Sequence, residues 1–339
     1  MDIRFIKDVT GFQLLGEEWD SRLEESVSNV PFLRHGYLSN WWETRGGGEW
    51  DHAELWIAVG KQGGRIRAIA PLFLSGSEGE ARGLRFLGSI EISDYLDFIV
   101  APGDVDAFAL DLLRALAAQG PQSGTFLDLF NLPVSSPTIA ALRQASGVLG
   151  WDVAVTELQP CPAVTLPDTW ETFLSSLGKK QRHEIRRKMR RGEEHDLTFH
   201  ILEDESRFGV ILEEILDVMK MDPGKNAFLT PIMQEQFRRS LRAAFSEGWL
   251  QVASLRAGKD LAAAYLNFDY ANKLWVYNSA LNPAYASLSA GWVLLGRLIQ
   301  WGIQNRRTEL DFMRGDEQYK YRFGGVDRKI VRVRIERTG

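Results

Sequence analysis

The chain has 339 residues, 45% of them hydrophobic, which is enough for about two domains with sizeable cores. Its net charge of −5 gives no overall pull towards nucleic acid or acidic membranes. One cysteine, Cys161, excludes an internal disulfide and a cysteine-built zinc site, and no apolar run reaches the roughly 18 residues of a transmembrane segment.

In chain order, strand patterns fall at Glu54–Val59, Ile66–Leu74, Leu84–Leu87 and Tyr95–Val100. Leu112, Leu113 and Leu116 at helical spacing predict a helix over Asp104–Ala118. Thr125–Phe130 reads as a strand and Pro137–Leu149 as a helix. The stretch Pro160–Asp168 holds three prolines, which forbid regular helix, and it is read as the crossing between the two halves. The expected domains are 1–160 and 161–339.

The second half opens with a helical segment from Thr169 to about Arg191. Helices follow over Ser206–Met221 and Thr230–Gly248, the latter with Pro231 suited to a first turn. Strands are predicted at Trp249–Leu255, Leu261–Asp269 and Lys273–Ala280, then an amphipathic helix over Ser289–Asn305. Glu309–Met313 and Ile330–Glu336 close the list of strands. In the last of these Val331, Val333 and Ile335 alternate with Arg332, Arg334 and Glu336, the period of a half-exposed strand. The lack of a long apolar core at the N-terminus, with the single cysteine, predicts a cytoplasmic protein.

The halves share an internal pattern. Thr125-Phe-Leu-Asp-Leu-Phe and Thr308-Glu-Leu-Asp-Phe-Met align at an offset of 183, and the same offset puts Arg114 on Arg297, Leu112 on Leu295 and Leu116 on Ile299. A helix-then-strand unit that recurs without a gap predicts two similar α/β domains with a cleft between them.

The densest chemistry lies in Asp311–Gly325, DFMRGDEQYKYRFGG, just past a strand end, where open sheets form binding crevices. Asp316, Glu317, Tyr319, Lys320 and Arg322 offer a base, an acid and fixed cations within eight residues. If the stretch were an alternating strand instead, Tyr319, Tyr321 and Phe323 would face inward and Lys320 and Arg322 would be solvated. A second concentration of charge is Lys179–Arg191, where eight of thirteen residues are Lys or Arg and Glu184 is the only acid. As a helix it has Phe173, Leu177, Ile185 and Met189 on one side. Its cations Lys179, Lys180, Arg182, Arg186 and Arg187 suit a polyanion. The five histidines show no metal spacing, and there is no nucleophile elbow or Walker-type loop, so no metal and no covalent intermediate are expected. Cys161, wedged between Pro160 and Pro162, has no evident activating base.

The order PFLRHGYLSNWWE, IAPLFL, LRFLGS, SDYLDFIV, then SLGKKQRHEIRRKMRR, LNPAYASLSAGWVLLGRLI and LDFMRGDEQYKYRFGG resembles the GNAT-like acyltransferases of the cellulose-biosynthesis (CelD/BcsL) group. That group is similar to Fem-type peptidyltransferases, which carry two GNAT-like domains. The resemblance spans about Pro31 to Phe323. It implies an α/β (α+β) fold of two tandem GNAT-like domains, each a twisted mixed β-sheet flanked by helices. The implied reaction is transfer of an acyl group from acyl-CoA to an amine, with aminoacyl-tRNA as the donor in a Fem-type alternative and glycan or partner binding as a non-catalytic one. The long coiled-coil arm of some Fem enzymes is missing. The implied acceptor is a sugar amine or an amine on a cell-envelope polysaccharide.

On individual residues, the resemblance places a pyrophosphate-cradling loop at Ser289-Ala290-Gly291, where Ser287 or Ser289 would cap a helix N-terminus and Gly291 would let a ligand approach. The group's Ser-Pro-Gly is here Ser-Ala-Gly, and the R-x-x-G-x-G form of simple GNAT enzymes is absent. Tyr319-Lys320-Tyr321-Arg322-Phe323-Gly324 is similar to a Fem-type Phe-Lys-x-x-Phe-Gly motif. That similarity implies that Lys320 stabilises an oxyanion, with Asp316 or Glu317 as base, Tyr319 as acid and Arg322 on a phosphate or carboxylate. The first half would shape the acceptor side through Arg34, Asp94, Tyr95 and Asp97, while Trp41 and Trp42 are read as core.

Overall fold

Apolar segments of the chain condense into two units in the computed structural model, which describes residues 1–76, 82–120 and 126–337. The first unit is Met1–Gln159 with Lys329–Gly339; the second is Pro160–Arg328. The chain passes from the first unit to the second at Pro160, and the last strand returns it to the first unit.

The first unit runs β1 (Asp2–Ile6), α1 (Val9–Gln13), α2 (Gly16–Glu24), α3 (His35–Gly48), β2 (Ala53–Leu55), β3 (Ile57–Gln62), β4 (Arg65–Ala70), β5 (Leu72–Ser75), β6 (Gly83–Phe86), β7 (Ile99–Val100), α4 (Val105–Gln119), β8 (Phe126–Pro133) and α5 (Pro137–Leu149), and enters β9 (Trp151–Thr165). One sheet has the order β1-β3-β4-β7, all antiparallel. In the other, β2, β5 and β6 are antiparallel neighbours, β6 lies parallel to β8, and β8 pairs with the final strand. Helix α5 has the ends its sequence predicts. Ser136 caps it by accepting from Thr138 N, Pro137 fills the first turn, and Gly150 at φ 70° ends it. Thr125, the expected start of β8, lies outside the described residues.

The expected strand Tyr95–Val100 shrinks to Ile99–Val100 because the segment before it is pinned as a loop. Tyr95 has φ 58°, Asn131 Nδ2 donates to the carbonyls of Ile90 and Ser93 at 2.9 and 2.8 Å, and Leu96 N donates to Asn131 O. Asp97 is 0% exposed. It accepts from Ser28 and Ser136 hydroxyls, both at 2.6 Å, and from Phe98 N at 2.8 Å. Burial pushes its carboxyl above the usual carboxylate range, against those hydrogen bonds.

The second unit continues from β9 through α6 (Trp170–Ser176), α7 (Lys179–Glu194), β10 (Leu197–Ile201), α8 (Phe208–Met219), α9 (Pro223–Phe228), α10 (Pro231–Ser246), β11 (Leu250–Ala257), β12 (Asp260–Tyr270), β13 (Lys273–Leu281), a 3-10 turn (Pro283–Leu288), α11 (Ala290–Gln304), β14 (Glu309–Asp311) and α12 (Gln318–Arg322) to the start of β15 (Val326–Arg337). Its strand order is β10-β11-β12-β13-β14-β9, antiparallel except for β13 and β14, which run parallel.

The crossing segment is strand as far as Thr165. Proline cannot donate to a ladder, but a carbonyl can still accept. Pro162 O accepts from Phe312 N and Pro160 O from Gly315 N, both at 2.9 Å. The expected single helix from Thr169 to Arg191 is two, because Leu177 and Gly178 are extended at ψ 154° and 148°. Leu177 turns into the core instead, beside Phe173, Ile185 and Met189. Helix α7 lies close on α11, since a Cβ at Gly296 would sit 2.8 Å from Met189 Sδ and one at Gly192 3.0 Å from Val293. The repeat at offset 183 reappears as α4–β8 and α11–β14.

Asp97 binds its own fold, so its replacement should register as lost stability. Asp97→Ala leaves two hydroxyls and one N–H without their acceptor and should cost about 3 kcal/mol. Urea denaturation measures this, and Asp97→Asn should recover most of the loss.

Candidate functional site in the second unit

Strand β13 sets the geometry of the site. It pairs with β14 only over Lys273–Trp275. Beyond Trp275 no strand pairs with that side of β13 among the described residues. The register with β12 also shifts between Leu266 and Asn267, so β13 carries a bulge where pairing with β14 ends. After β14 the chain turns away. Met313 N donates to Asp311 Oδ1 at 2.7 Å, Met313 has φ 59° and Gly315 φ 114°.

Lys320 lies under this turn and is 2% exposed. Its Nζ donates to the carbonyls of Met313, Arg314 and Gly315 at 3.1, 2.7 and 3.2 Å and pairs with Glu317 at 2.9 Å. The ammonium is thus committed to the turn, where the sequence expectation had it facing an oxyanion. The segment that carries it is helix α12, not an alternating strand, which is why Lys320 points inward while Arg322 is exposed.

Around this lysine stand the other expected groups. Glu317 is exposed at the N-cap of α12, and Asp316 beside it is exposed. Tyr319 is half-buried, edge-on to Phe312 at 6.1 Å. Burial raises its phenol pKa, with a further push from Glu317. Tyr265, on β12 opposite Ser279, is raised well above the usual phenol value by burial first, then by Tyr319 and Glu317. Both phenols stay protonated at neutral pH.

A second lysine joins the group. Lys225, from α9, donates to the Ser279 carbonyl, to Ser279 Oγ at 3.0 Å and to Asn278 Oδ1 at 3.2 Å, on β13 past its pairing with β14. Burial lowers its pKa against the pull of Asp222 and Glu317.

At the N-terminus of α11, Ser289 adopts φ 56° and makes no side-chain cap, contrary to expectation. Its carbonyl accepts from Trp292 and Val293. A Cβ at Gly291 would lie 3.0 Å from Leu281 Cδ2, so this glycine admits the end of β13. In the first turn Trp292 lies between two cations, Lys188 Nζ at 3.6 Å from its ring and Arg322 at 5.9 Å. Phe323 packs on it at 5.0 Å. A helix start whose first two N–H groups, on Ala290 and Gly291, have no partner among the described residues, with two cations nearby, fits an anionic group such as a pyrophosphate. On the exposed side of α7, Lys179, Lys180 and Arg186 are exposed and Arg182 half-buried. Arg187 forks onto Glu184 at 2.9 and 3.1 Å.

The structure does not bring the first unit's expected residues to an exposed site. Asp97 is enclosed as described, and Asp94 and Tyr95 are buried at 4% and 5% exposure. Arg34 pairs with Asp20 at 3.0 Å, and Asp20 also accepts from His35 N. These contacts hold α2 to α3. Trp41 and Trp42 are core, as expected. Tyr265, Lys225, Asn278 and Ser279 escaped the sequence analysis because they come from separate elements with no motif. Among the described residues no group of three or more His, Cys, Asp or Glu can hold a metal ion, and no helix is long and apolar enough to cross a membrane.

Residues 179–321 match the family described as an acetyltransferase (GNAT) domain. That span runs from the start of α7 into α12 and takes in the groups just described in the second unit except Arg322 and Phe323. No curated protein matches the chain by sequence. Among solved structures, the crystal structure of FemX aligns at TM-score 0.66 and 12% identity over 98% of this chain and 97% of that one. A conserved protein of unknown function from Bacteroides thetaiotaomicron VPI-5482 aligns at 0.64 and 11%, over 99% and 100%. L-PGS from Bacillus licheniformis aligns at 0.59 and 13%, over 95% and 91%. The chain thus shares the fold of FemX, two α/β units with mixed sheets flanked by helices, and the GNAT match lies in the second unit.

The clamp at Lys320 is open to a direct test. At Gly315 a Cβ would lie 2.5 Å from Glu317 Oε2 and 3.1 Å from Lys320 Nζ. Gly315→Ala should therefore lower stability by at least about 1 kcal/mol from backbone strain. Lys320→Met should cost about 3 kcal/mol by leaving three convergent carbonyls without a donor. Thermal melts of the two variants read both effects.

Proposed function

We propose that the chain is an N-acyltransferase that takes its acyl group from acyl-CoA and passes it to an amine by direct attack, with no acyl-enzyme. The narrower kinship with the cellulose-biosynthesis (CelD/BcsL) group and a sugar or cell-envelope polysaccharide amine as acceptor belong to the same proposal. One observation carries it: within the second unit, an anion-suited helix start flanked by Lys188 and Arg322 adjoins the unpaired edge of β13, which leads to Glu317, Tyr319 and Tyr265.

Acyl-CoA would supply a thioester carbonyl. Ser289, Ala290, Gly291 and Arg322, with Lys188, would hold its phosphates. Glu317 would take the proton from the attacking ammonium; it pairs with Lys320 in the turn at 2.9 Å, and its charge also reaches both phenols and Lys225. Asp316 acts instead on exposed Tyr321. Tyr319, kept protonated by burial, would return a proton to the leaving sulfur. Lys320 would serve by fixing the turn that aims Glu317 and Tyr319.

A second reading, aminoacyl-tRNA as donor, is favoured by the exposed cations of α7, for which no ion pair is present at Lys179, Lys180, Arg182 or Arg186 among the described residues. Thermal-shift titration separates the two. A ligand at about 100 times its Kd adds about 2.7 kcal/mol, so CoA species should raise the melting temperature while charged tRNA leaves it unchanged. The reverse result, weakening steeply with salt, would select the tRNA donor, and no response to either would leave a binding protein.

For the enzyme, Glu317→Gln and Tyr319→Phe should each lower kcat about 100-fold or more without unfolding the chain. A raised phenol pKa keeps the acid form to higher pH, so kcat should show no loss from Tyr319 ionisation below about pH 10. A pH–rate profile checks this.

A further inference from the structure

Lys225 differs from the other partly or fully buried lysines of the second unit. Lys188 meets Glu184 at 3.4 Å, Lys273 meets Glu309 at 3.2 Å and Lys320 meets Glu317 at 2.9 Å. The Lys225 ammonium donates to neutral oxygens alone. The near carboxylate, Asp222, is turned to the backbone, where it accepts from Lys225 N at 2.9 Å and caps α9. A desolvated cation without an anion in contact is costly, and burial accordingly lowers this amine's pKa.

The same side chain lines a cavity of about 250 Å³. Apart from Asp222, the rest of its wall is apolar, with Met219, Met221, Leu281 and Pro283 among its residues. Met221 and Leu281 are 52% and 51% exposed, so the cavity is open on their side. Methionine adapts its shape to an aliphatic occupant.

We propose that this cavity takes the acceptor, and that the acceptor is an apolar α-amino acid. Its carboxylate meets Lys225 in place of one of the three neutral oxygens, its aliphatic side chain lies against Met219, Met221 and Leu281, and its amine is the group acylated. This assignment rests on the acyl-transfer function proposed above and replaces its sugar amine with a smaller substrate. In the reaction the amine nitrogen bonds to the acyl carbon and the carbon–sulfur bond breaks. The amine proton passes to Glu317, and the sulfur takes a proton from Tyr319.

Calorimetric titration of the full chain tests the assignment with three probes: leucine, 4-methylpentanoate, which lacks the amine, and leucinamide, which lacks the carboxylate. Leucine and 4-methylpentanoate should bind saturably, and leucinamide at least about tenfold more weakly, the worth of one charge-assisted hydrogen bond. Lys225→Met should weaken leucine by a similar factor, and Lys225→Arg should restore most of it. Circular dichroism confirms that both variants fold. Leucinamide binding as tightly as leucine, an unchanged leucine Kd in Lys225→Met, or no binding of either carboxylate would overturn the proposal. Leucine that binds but is never acylated from acyl-CoA would refute acyl transfer and leave the cavity assignment standing. Acylation of an amino sugar without leucine binding would do the opposite.

Discussion

Three backbone carbonyls that converge on one buried point need a cation, and the second unit is arranged around the one that meets them. The turn after β14 directs the oxygens of Met313, Arg314 and Gly315 at Lys320 Nζ. Those carbonyls are aimed inward because Phe312 and Gly315 donate their N–H groups to β9, and Met313 donates to Asp311. Left without a donor, each would carry the cost of a buried unsatisfied acceptor. Glu317 balances the charge. The turn thus fixes where β14 stops, and so how much of β13 stays unpaired. It also fixes the start of α12, and with it Tyr319 and Arg322.

The internal repeat shows how much of this is specific to one unit. Asp128 and Asp311 are equivalent at an offset of 183, and both are buried. Each faces an arginine from β15. Arg332 forks onto Asp128 at 2.5 and 2.9 Å, and Arg328 stands 3.7 Å from Asp311. In the first unit Arg85 closes a second pair on Asp128 at 3.2 Å, and the strand continues to Pro133. In the second unit Asp311 accepts from Met313 N instead, and the strand ends after three residues. The same pattern of strand and carboxylate therefore yields a closed sheet position in one unit and a sharp turn in the other.

This contrast also explains what the sequence disclosed. Helix α5 was legible because Ser136, Pro137 and Gly150 mark its ends with local chemistry. The strand β9 was not, since two prolines argue against a ladder unless the alternate carbonyls are known to accept from Phe312 and Gly315. Lys320 stood out by its motif, but its direction depends on α12 being helical, and Gln318–Arg322 is too short for periodicity to separate helix from strand. Asp94 and Asp97 looked like free carboxylates because nothing local marks Ser28, Ser136 and Asn131 as their surroundings or supports. Lys225 and Tyr265 lie 40 residues apart and join through β13, so no spacing rule could pair them.

The charge on α7 is the last element that local stability does not explain. Lys179 and Lys180 occupy the first turn of a helix with no side-chain cap, where positive charge opposes the helix dipole at a cost of about 0.3–1 kcal/mol each. What holds the helix is its other face: Ile185 and Met189 sit in the core, and Gly192 and Gly296 let it lie close on α11. The same close packing sets Lys188 over Trp292, at the start of α11. The packing keeps like charges at an unfavourable helix end, and an anion bound there would relieve a repulsion the fold already tolerates. In a chain whose net charge is −5, that local concentration is a property of one helix face and not of the composition.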